Sequence, residues 1–217
     1  FRKITEEGVE FRSHIDGSYH RLTPESVVDF QVEMGSDIQM VLDECTAYGA
    51  DEEAARAAVR RTTDWAARAR KRWDERGGPG ALFGIVQGNF FEALRVESAA
   101  SLSKLDFPGY AIGGLSVGEP SDVFATVLRS TASMLPGDRP RYLMGIGTPD
   151  YVLEAVANGI DMFDCVYPTR VARNGSVMTR DGLLPLKKER FRFDKKPIDE
   201  SCTCTACRTY SRGYLRH

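Results

Sequence analysis

Asp164 closes a short apolar run, Ile160, Met162 and Phe163, and is followed by an apolar triplet, Pro168 and the pair Thr169-Arg170. Proline donates no ladder hydrogen bond, so a strand ends there. In a parallel α/β protein the C-terminal end of a strand faces the mouth of the sheet. A carboxylate at that place can act as nucleophile, base or metal ligand. The stretch Arg170-Val-Ala-Arg173-Asn174-Gly175 would set guanidinium groups, which suit phosphates, beside it. A capping Asp ahead of a solvated loop has the same spacing.

Further strand ends carry a matching set. Asp43 can accept two parallel N–H bonds, such as a guanine-like N1–H and exocyclic amine offer. Gln87 can donate to a carbonyl oxygen. Gly113-Gly114 lets the backbone approach a ligand closely and supplies N–H donors. Met144 could stack on a flat ring. Each has a bland alternative: a cap, a tight turn, a core methionine. Together they describe a pocket for a flat, polar heterocycle beside a nucleophile. A third constellation is Cys202-x-Cys204-x-x-Cys207. The five cysteines are odd in number, with Cys45 and Cys165 apart in apolar stretches. That pattern argues against a secreted disulfide framework and for a metal site in a reducing, cytoplasmic setting.

The elements that must position these groups follow from periodicity. Val9 to Arg21 alternates around Asp16-Gly17 as a β-hairpin. Thr23-Pro24-Glu25 starts a helix that stops at Gly35. Asp37 to Asp43 reads as a buried strand. Asp51 to Arg76 is a long Ala- and Arg-rich helix with Val59, Trp65, Ala66, Ala69 and Trp73 on its apolar face, broken by Gly77-Gly-Pro-Gly80. Strands at Ala81 to Gln87, Gly109 to Leu115, Arg141 to Gly145 and Ile160 to Asp164 alternate with helices near 90–105, 121–135 and 150–158. Five strand–helix units imply a parallel sheet, and polar groups at the strand ends point to a (β/α)8 TIM barrel, here incomplete. No Gly-x-Gly-x-x-Gly opens a helix, which disfavours a doubly wound sheet. After Asn174-Gly175 the texture changes to a hairpin over Val177 to Leu186 around Asp181-Gly182, a basic stretch with Phe191 and Phe193, and the cysteines. The expected domains are 1–174, a partial barrel, and 175–217, a small zinc-binding subdomain running into a helix.

At 217 residues, 42% of them hydrophobic, the chain can bury a sizeable core, and its net charge of −2 confines any nucleic-acid contact to a local patch. No apolar run approaches the roughly 20 residues that span a bilayer. The chain begins without Met and ends at His217 inside an apparent helix, so both ends are expected to be cut.

The ordered motifs Phe11-Arg-Ser-His-Ile-Asp-Gly17, Leu42-Asp-Glu-Cys-Thr46, Gly84-Ile-Val-Gln-Gly88, Gly113-Gly-Leu-Ser-Val-Gly-Glu119, Tyr142-Leu-Met-Gly145, Phe163-Asp-Cys-Val166 and Pro168-Thr-Arg170, together with the cysteine cluster, run through nearly the whole chain. In these it resembles the bacterial tRNA-guanine transglycosylases of the queuine tRNA-ribosyltransferase family. The resemblance implies base exchange at the anticodon wobble position of a tRNA with a G-U-N anticodon. Guanine gives way to 7-aminomethyl-7-deazaguanine in queuosine biosynthesis. Asp164 matches the nucleophile that attacks ribose C1′. Asp43, Gln87 and Gly114 match base-binding groups; Leu115 lends its carbonyl to the base's amine, and Glu119 steadies that peptide. Gly145, Ile146, Gly147, Thr148, Pro149, Asp150 and Tyr151 match a tRNA-contacting segment, as do Thr169, Arg170, Val171, Ala172 and Arg173. Cys202, Cys204 and Cys207 match ligands of one structural Zn2+, and a homodimer is implied. Cys45 and Val117 match the bacterial pattern, in which the pocket excludes bulkier queuine.

Two departures accompany the resemblance. The family's general acid/base aspartate lies in a Ser-Gly-Gly-containing stretch upstream of Phe1. Its fourth zinc ligand is a histidine well downstream of Cys207, and His217 does not match it. The chain is expected to be an N- and C-terminally incomplete member, inactive alone. A non-catalytic RNA-binding subunit of the same fold is the rival, though it has no need of both Asp164 and Asp43. A zinc hydrolase barrel would want histidines at strand ends, and His14, His20 and His217 are not there.

Overall fold

The computed structural model describes residues 2–217; Phe1 lies outside them. The chain divides into two compact units, one ending at Asp164 and the other running from Cys165 to His217. The division falls ahead of the boundary expected at 174, because the basic stretch after Asp164 groups with the cysteine-bearing part.

The first unit opens with an antiparallel meander, β1 (Arg2–Ile4), β2 (Val9–Arg12) and β3 (Tyr19–Leu22), in which Val9 faces Leu22 and Arg12 faces Tyr19. The hairpin expected over 9–21 is present; β1 is an addition that three residues of short, exposed strand did not announce. Next come α1 (Pro24–Glu33), β4 (Ile38–Met40), α2 (Glu52–Arg76), β5 (Ala81–Val86), α3 (Glu92–Ser103), β6 (Gly109–Ile112), α4 (Ser121–Met134), β7 (Arg141–Leu143), α5 (Pro149–Ala157) and β8 (Met162–Phe163). Strands β4 to β8 form one parallel sheet in chain order, β4-β5-β6-β7-β8. A doubly wound sheet reverses its strand order at a switch point, and this one does not. The order is that of consecutive units in a β/α barrel.

Local chemistry explains the boundaries. Thr23 caps α1 in a capping box with Ser26. Asp51 caps α2 through the Ala54 N–H, and Gly77 ends it in the left-handed region at φ 58°. The inner face of α2 buries Ala55, Val59, Trp65, Ala66 and Ala69. Its outer face is a row of guanidinium clamps: Arg68 grips the Glu25 carboxylate at 2.7 and 2.8 Å, Arg72 grips Asp29 at 2.9 and 3.0 Å, and Arg61 pairs with Glu6 and Glu44. The two bidentate pairs align α1 on α2, while Arg61 and the buried Trp65 indole, which donates to the Glu6 carbonyl at 2.8 Å, tie down the β1–β2 turn. The strand expected over 37–43 is shorter and less buried: Ile38 is 39% exposed because β4 lies at the sheet's edge. Gly84 and Gly109 face aromatic rings; a Cβ on Gly109 would lie 2.2 Å from Phe83, and one on Gly84 2.7 Å from Phe107. The central strands approach that closely only because these residues are glycine.

The second unit contains α6 (Tyr167–Arg173), the hairpin β9 (Val177–Thr179) with β10 (Gly182–Leu184), a 3-10 turn at Glu189–Phe191, α7 (Thr205–Thr209) and α8 (Arg212–Arg216). Two local expectations change. Residues 170–173 are helical, because Pro168 sits in the first turn of α6, where a missing N–H is harmless. The β9–β10 turn is Arg180-Asp181 rather than Asp181-Gly182, since Thr179 pairs with Gly182. Phe191 is buried, whereas Phe193 is 82% exposed beneath the Arg192 guanidinium.

Candidate active site and cysteine cluster

The C-terminal ends of β4, β5 and β6 bring the expected base-binding groups together. Val41 N–H bonds to the Phe83 carbonyl at 3.2 Å, carrying the chain beyond β4 toward Asp43. The Gln87 amide, 2% exposed, donates through Nε2 to Asp43 Oδ2 at 2.6 Å. It lies flat against the glycine pair: a Cβ on Gly113 would meet Gln87 Nε2 at 2.5 Å, and one on Gly114, at φ 70°, would meet Oε1 at 2.7 Å. Only glycine fits either place. Burial pushes the Asp43 carboxyl up, partly offset by the Gln87 bond. The two side chains expected to grip a base therefore hold each other.

Beyond the pair, Leu115 is buried and Ser116 is left-handed at φ 59°. Glu119 folds back so that Oε1 accepts from Ser116 N–H at 2.5 Å and Oε2 from Val117 N–H at 2.9 Å. The Ser116 N–H belongs to the peptide whose carbonyl is Leu115's. Met144 is half-buried against the core. Cys45 is exposed rather than set in apolar surroundings.

Asp164 stands one residue past β8. Its Oδ1 accepts from the Tyr142 hydroxyl at 2.6 Å and from Gly145 N–H at 2.7 Å. Oδ2 has no hydrogen-bond partner within the chain among the described residues. Burial and then the Asp164 bond push the Tyr142 phenol well up, so it stays a donor. Sequence reasoning overlooked Tyr142 as a functional group. The available signal was its position near the end of β7, opposite Met162, two residues before the carboxylate.

The residues matched to RNA contacts are not alike. Gly145, Pro149 and Asp150 are exposed; Thr148 stands at the N-cap position of α5 without a side-chain cap bond, and Pro149 lies in the first turn. Ile146 is 1% exposed and Tyr151 stacks on Phe124 with ring centres 4.3 Å apart, so these side chains serve packing. On α6, Thr169, Arg170, Ala172 and Arg173 are exposed and Val171 half-buried. Arg170 and Arg173, three apart, share a helix face. Among the described residues neither pairs with a carboxylate.

In the second unit the sulfurs of Cys202, Cys204 and Cys207 all lie within 4.8 Å of one another and form no disulfide. Tetrahedral ligation at about 2.3 Å puts sulfurs about 3.8 Å apart, so small side-chain rotations suffice. The Cys207 N–H helps draw the Cys204 thiol down, while burial and the two neighbouring sulfurs hold the Cys207 thiol up. The donor set fits zinc.

A parallel sheet of consecutive β/α units with Asp43, Gln87 and Asp164 beyond its strand ends, in a chain that also bears three clustered cysteines, has the architecture of part of a β/α-barrel protein. The chain matches the family model described as Queuine tRNA-ribosyltransferase over residues 1–217. It is 55% identical over 217 residues to a queuine tRNA-ribosyltransferase of Desulfosudis oleivorans, covering 99% of this chain and 56% of the relative. It is 52% identical to that of Ruminiclostridium cellulolyticum, covering 100% and 58%, and 53% identical to that of Bacillus licheniformis, covering 100% and 57%. The chain belongs to the queuine tRNA-ribosyltransferase family and spans little more than half the length of these curated relatives.

Proposed function

We propose that the full-length protein is a tRNA-guanine transglycosylase acting through a covalent Asp164–ribosyl intermediate. The observation that carries this is the posture of Asp164: one oxygen anchored by two donors, the other without a protein partner, at the C-terminal end of the sheet. Its free oxygen attacks C1′ of the wobble nucleotide as the C1′–N9 bond breaks, and guanine leaves with the bond's electron pair and a proton. The family resemblance assigns that proton to an aspartate upstream of this chain. The same aspartate then takes the ring N–H proton of the incoming base as that nitrogen attacks C1′, and the Asp164 carboxylate departs with the electrons of the breaking C1′–O bond. Asp43, Gln87 and Gly114 bind the base edge, and Leu115 and Glu119 its amine side. The relatives are named for queuine; the Val117 side chain supports the smaller 7-aminomethyl-7-deazaguanine, since a cyclopentenediol substituent would press against it. Cys202, Cys204 and Cys207 would hold one zinc, which organises the second unit. A cytoplasmic homodimer completes the reading. Among the described residues no helix is long and apolar enough to cross a membrane. The test is exchange of labelled guanine into tRNA by the full-length protein; no incorporation and no adduct would leave the RNA-binding rival.

Two outcomes follow from the site. Tyr142→Phe removes one of the two donors that aim Asp164. It should slow single-turnover adduct formation by about tenfold, the worth of one charge-assisted hydrogen bond, with tRNA KM unchanged. An unaltered rate would mean that Gly145 alone positions the carboxylate. Arg170→Glu or Arg173→Glu should raise tRNA KM by about tenfold and lower its salt dependence, while free-base binding persists. Equal loss of both would make α6 merely structural.

A further inference from the structure

A buried guanidinium lies against the glycine pair. Arg95, on α3, is 1% exposed. Its Nε donates to the Asn89 carbonyl at 2.7 Å, and its Nη2 to the carbonyls of Gly113 at 3.0 Å and Gly114 at 3.5 Å. Nη1 is buried without a hydrogen-bond partner, and no carboxylate among the described residues pairs with the group. Burial brings its pKa down to about 10, while Cys45 and Glu119 pull it back up, so it is charged near neutral pH. Asn89 extends the bridge. It is 3% exposed and left-handed at φ 51°, and its Nδ2 donates to Thr46 Oγ1 at 2.8 Å and to the Ala47 carbonyl at 2.9 Å. One polar bridge thus ties together the segments following β4, β5 and β6, which carry Asp43, Gln87 and Gly114.

Bracing alone does not require a charge here. The carbonyls need donors, which an uncharged amide could supply without the cost of burying a charge. A planar fork does more: it fixes the direction of the carbonyls it binds. In a trans peptide the C=O and N–H point in opposite directions. Turning the Gly113 and Gly114 carbonyls toward Arg95 therefore turns the N–H groups of Gly114 and Leu115 away from it. Glu119 holds the next two peptides by their N–H groups. Four successive peptides are set in this way, two by a cation through their oxygens and two by an anion through their nitrogens.

Building on the base-exchange reading, we infer that Arg95 is a specificity-determining positioning residue: it fixes the peptide donors that recognise the ring carbonyl of the incoming base. The test uses full-length Arg95→Lys and Arg95→Met, with guanine and 2-aminopurine, which lacks that carbonyl, competing for exchange of labelled guanine. An ammonium cannot span the carbonyls in one plane, so guanine affinity should fall by about tenfold or more in either variant. Affinity for 2-aminopurine should hold, and the preference for guanine should collapse. A parallel fall for both bases, or an unchanged preference, overturns the inference. If one variant does not fold, the other decides; if neither folds, Arg95 is structural and the inference falls. A wild-type protein that does not exchange guanine would instead sink the functional reading, independently of Arg95.

Discussion

Asp164→Asn in the full-length protein should abolish the tRNA–protein adduct that survives denaturing electrophoresis and lower base exchange on the order of 10⁴-fold or more, the scale seen when a covalent nucleophile is removed. The loss is chemical rather than architectural. An asparagine keeps an acceptor oxygen for the Tyr142 hydroxyl and Gly145 N–H, so the side chain stays anchored. What disappears is an anionic oxygen able to bond to an oxocarbenium-like carbon and depart again as a stable carboxylate. Asp43 is the internal comparison, since it too lies beyond the C-terminal end of a strand. Its Oδ2 is engaged by Gln87, and its carboxyl is pushed up by burial, both suited to reading a base rather than attacking a sugar. Asp43→Asn should therefore weaken guanine discrimination while still trapping some adduct. Protonation of Asp43 removes an acceptor for the base's N–H edge. Base affinity should accordingly drop as pH falls through a midpoint above the usual carboxylate range. If Asp164→Asn still trapped tRNA covalently and Asp43→Asn did not, the two roles would be exchanged.

What the chain discloses before folding depends on whether the signal is periodic. The five apolar runs and the helices between them carry their own spacing, and caps such as Thr23 and Asp51 with the stop at Gly77 mark the edges. The parallel sheet in chain order was legible for that reason. β1 was not, because three residues with two exposed show no period. α6 was hidden by Pro168, which ends a strand and opens a helix equally well, and only the fold chooses between the two. Asp43, Gln87 and Gly114 could be singled out as polar groups ending apolar runs. Arg95 and Tyr142 could not, because their partners are remote. Arg95 binds carbonyls that follow the next strand, and Tyr142 reaches a carboxylate 22 residues away. In sequence, Arg95 reads as one more charge on a helix; only folding removes it from water.

The second large effect concerns the metal. Among the described residues, the unit from Cys165 to His217 fully buries just two apolar side chains, Leu186 and Phe191. A segment with so small a core gains little from the hydrophobic effect and needs another source of stability. Three thiols within 4.8 Å of one another would supply it on binding zinc, since metal binding to such a site is itself folding free energy, about 10–16 kcal/mol in small zinc domains at neutral pH. The full-length protein should therefore carry about one zinc per chain. Cys204→Ser, or a strong chelator, should remove most of that metal and open the 165–217 segment to proteolysis. The same unit carries α6, and the Lys187 N–H, beyond the hairpin, bonds to the Gly175 carbonyl just after that helix at 3.3 Å. Metal loss should thus raise tRNA KM, as reversing Arg170 or Arg173 does. Asp43 and Gln87, the proposed base-binding pair, belong to the other unit, so guanine should still bind to the stripped protein. Calorimetry with free guanine separates the outcomes. Retained guanine binding with lost tRNA affinity supports a structural metal that presents α6. Unchanged metal content in Cys204→Ser, or disulfides joining these cysteines to each other, to Cys45 or to Cys165 in the native protein, would rule the site out.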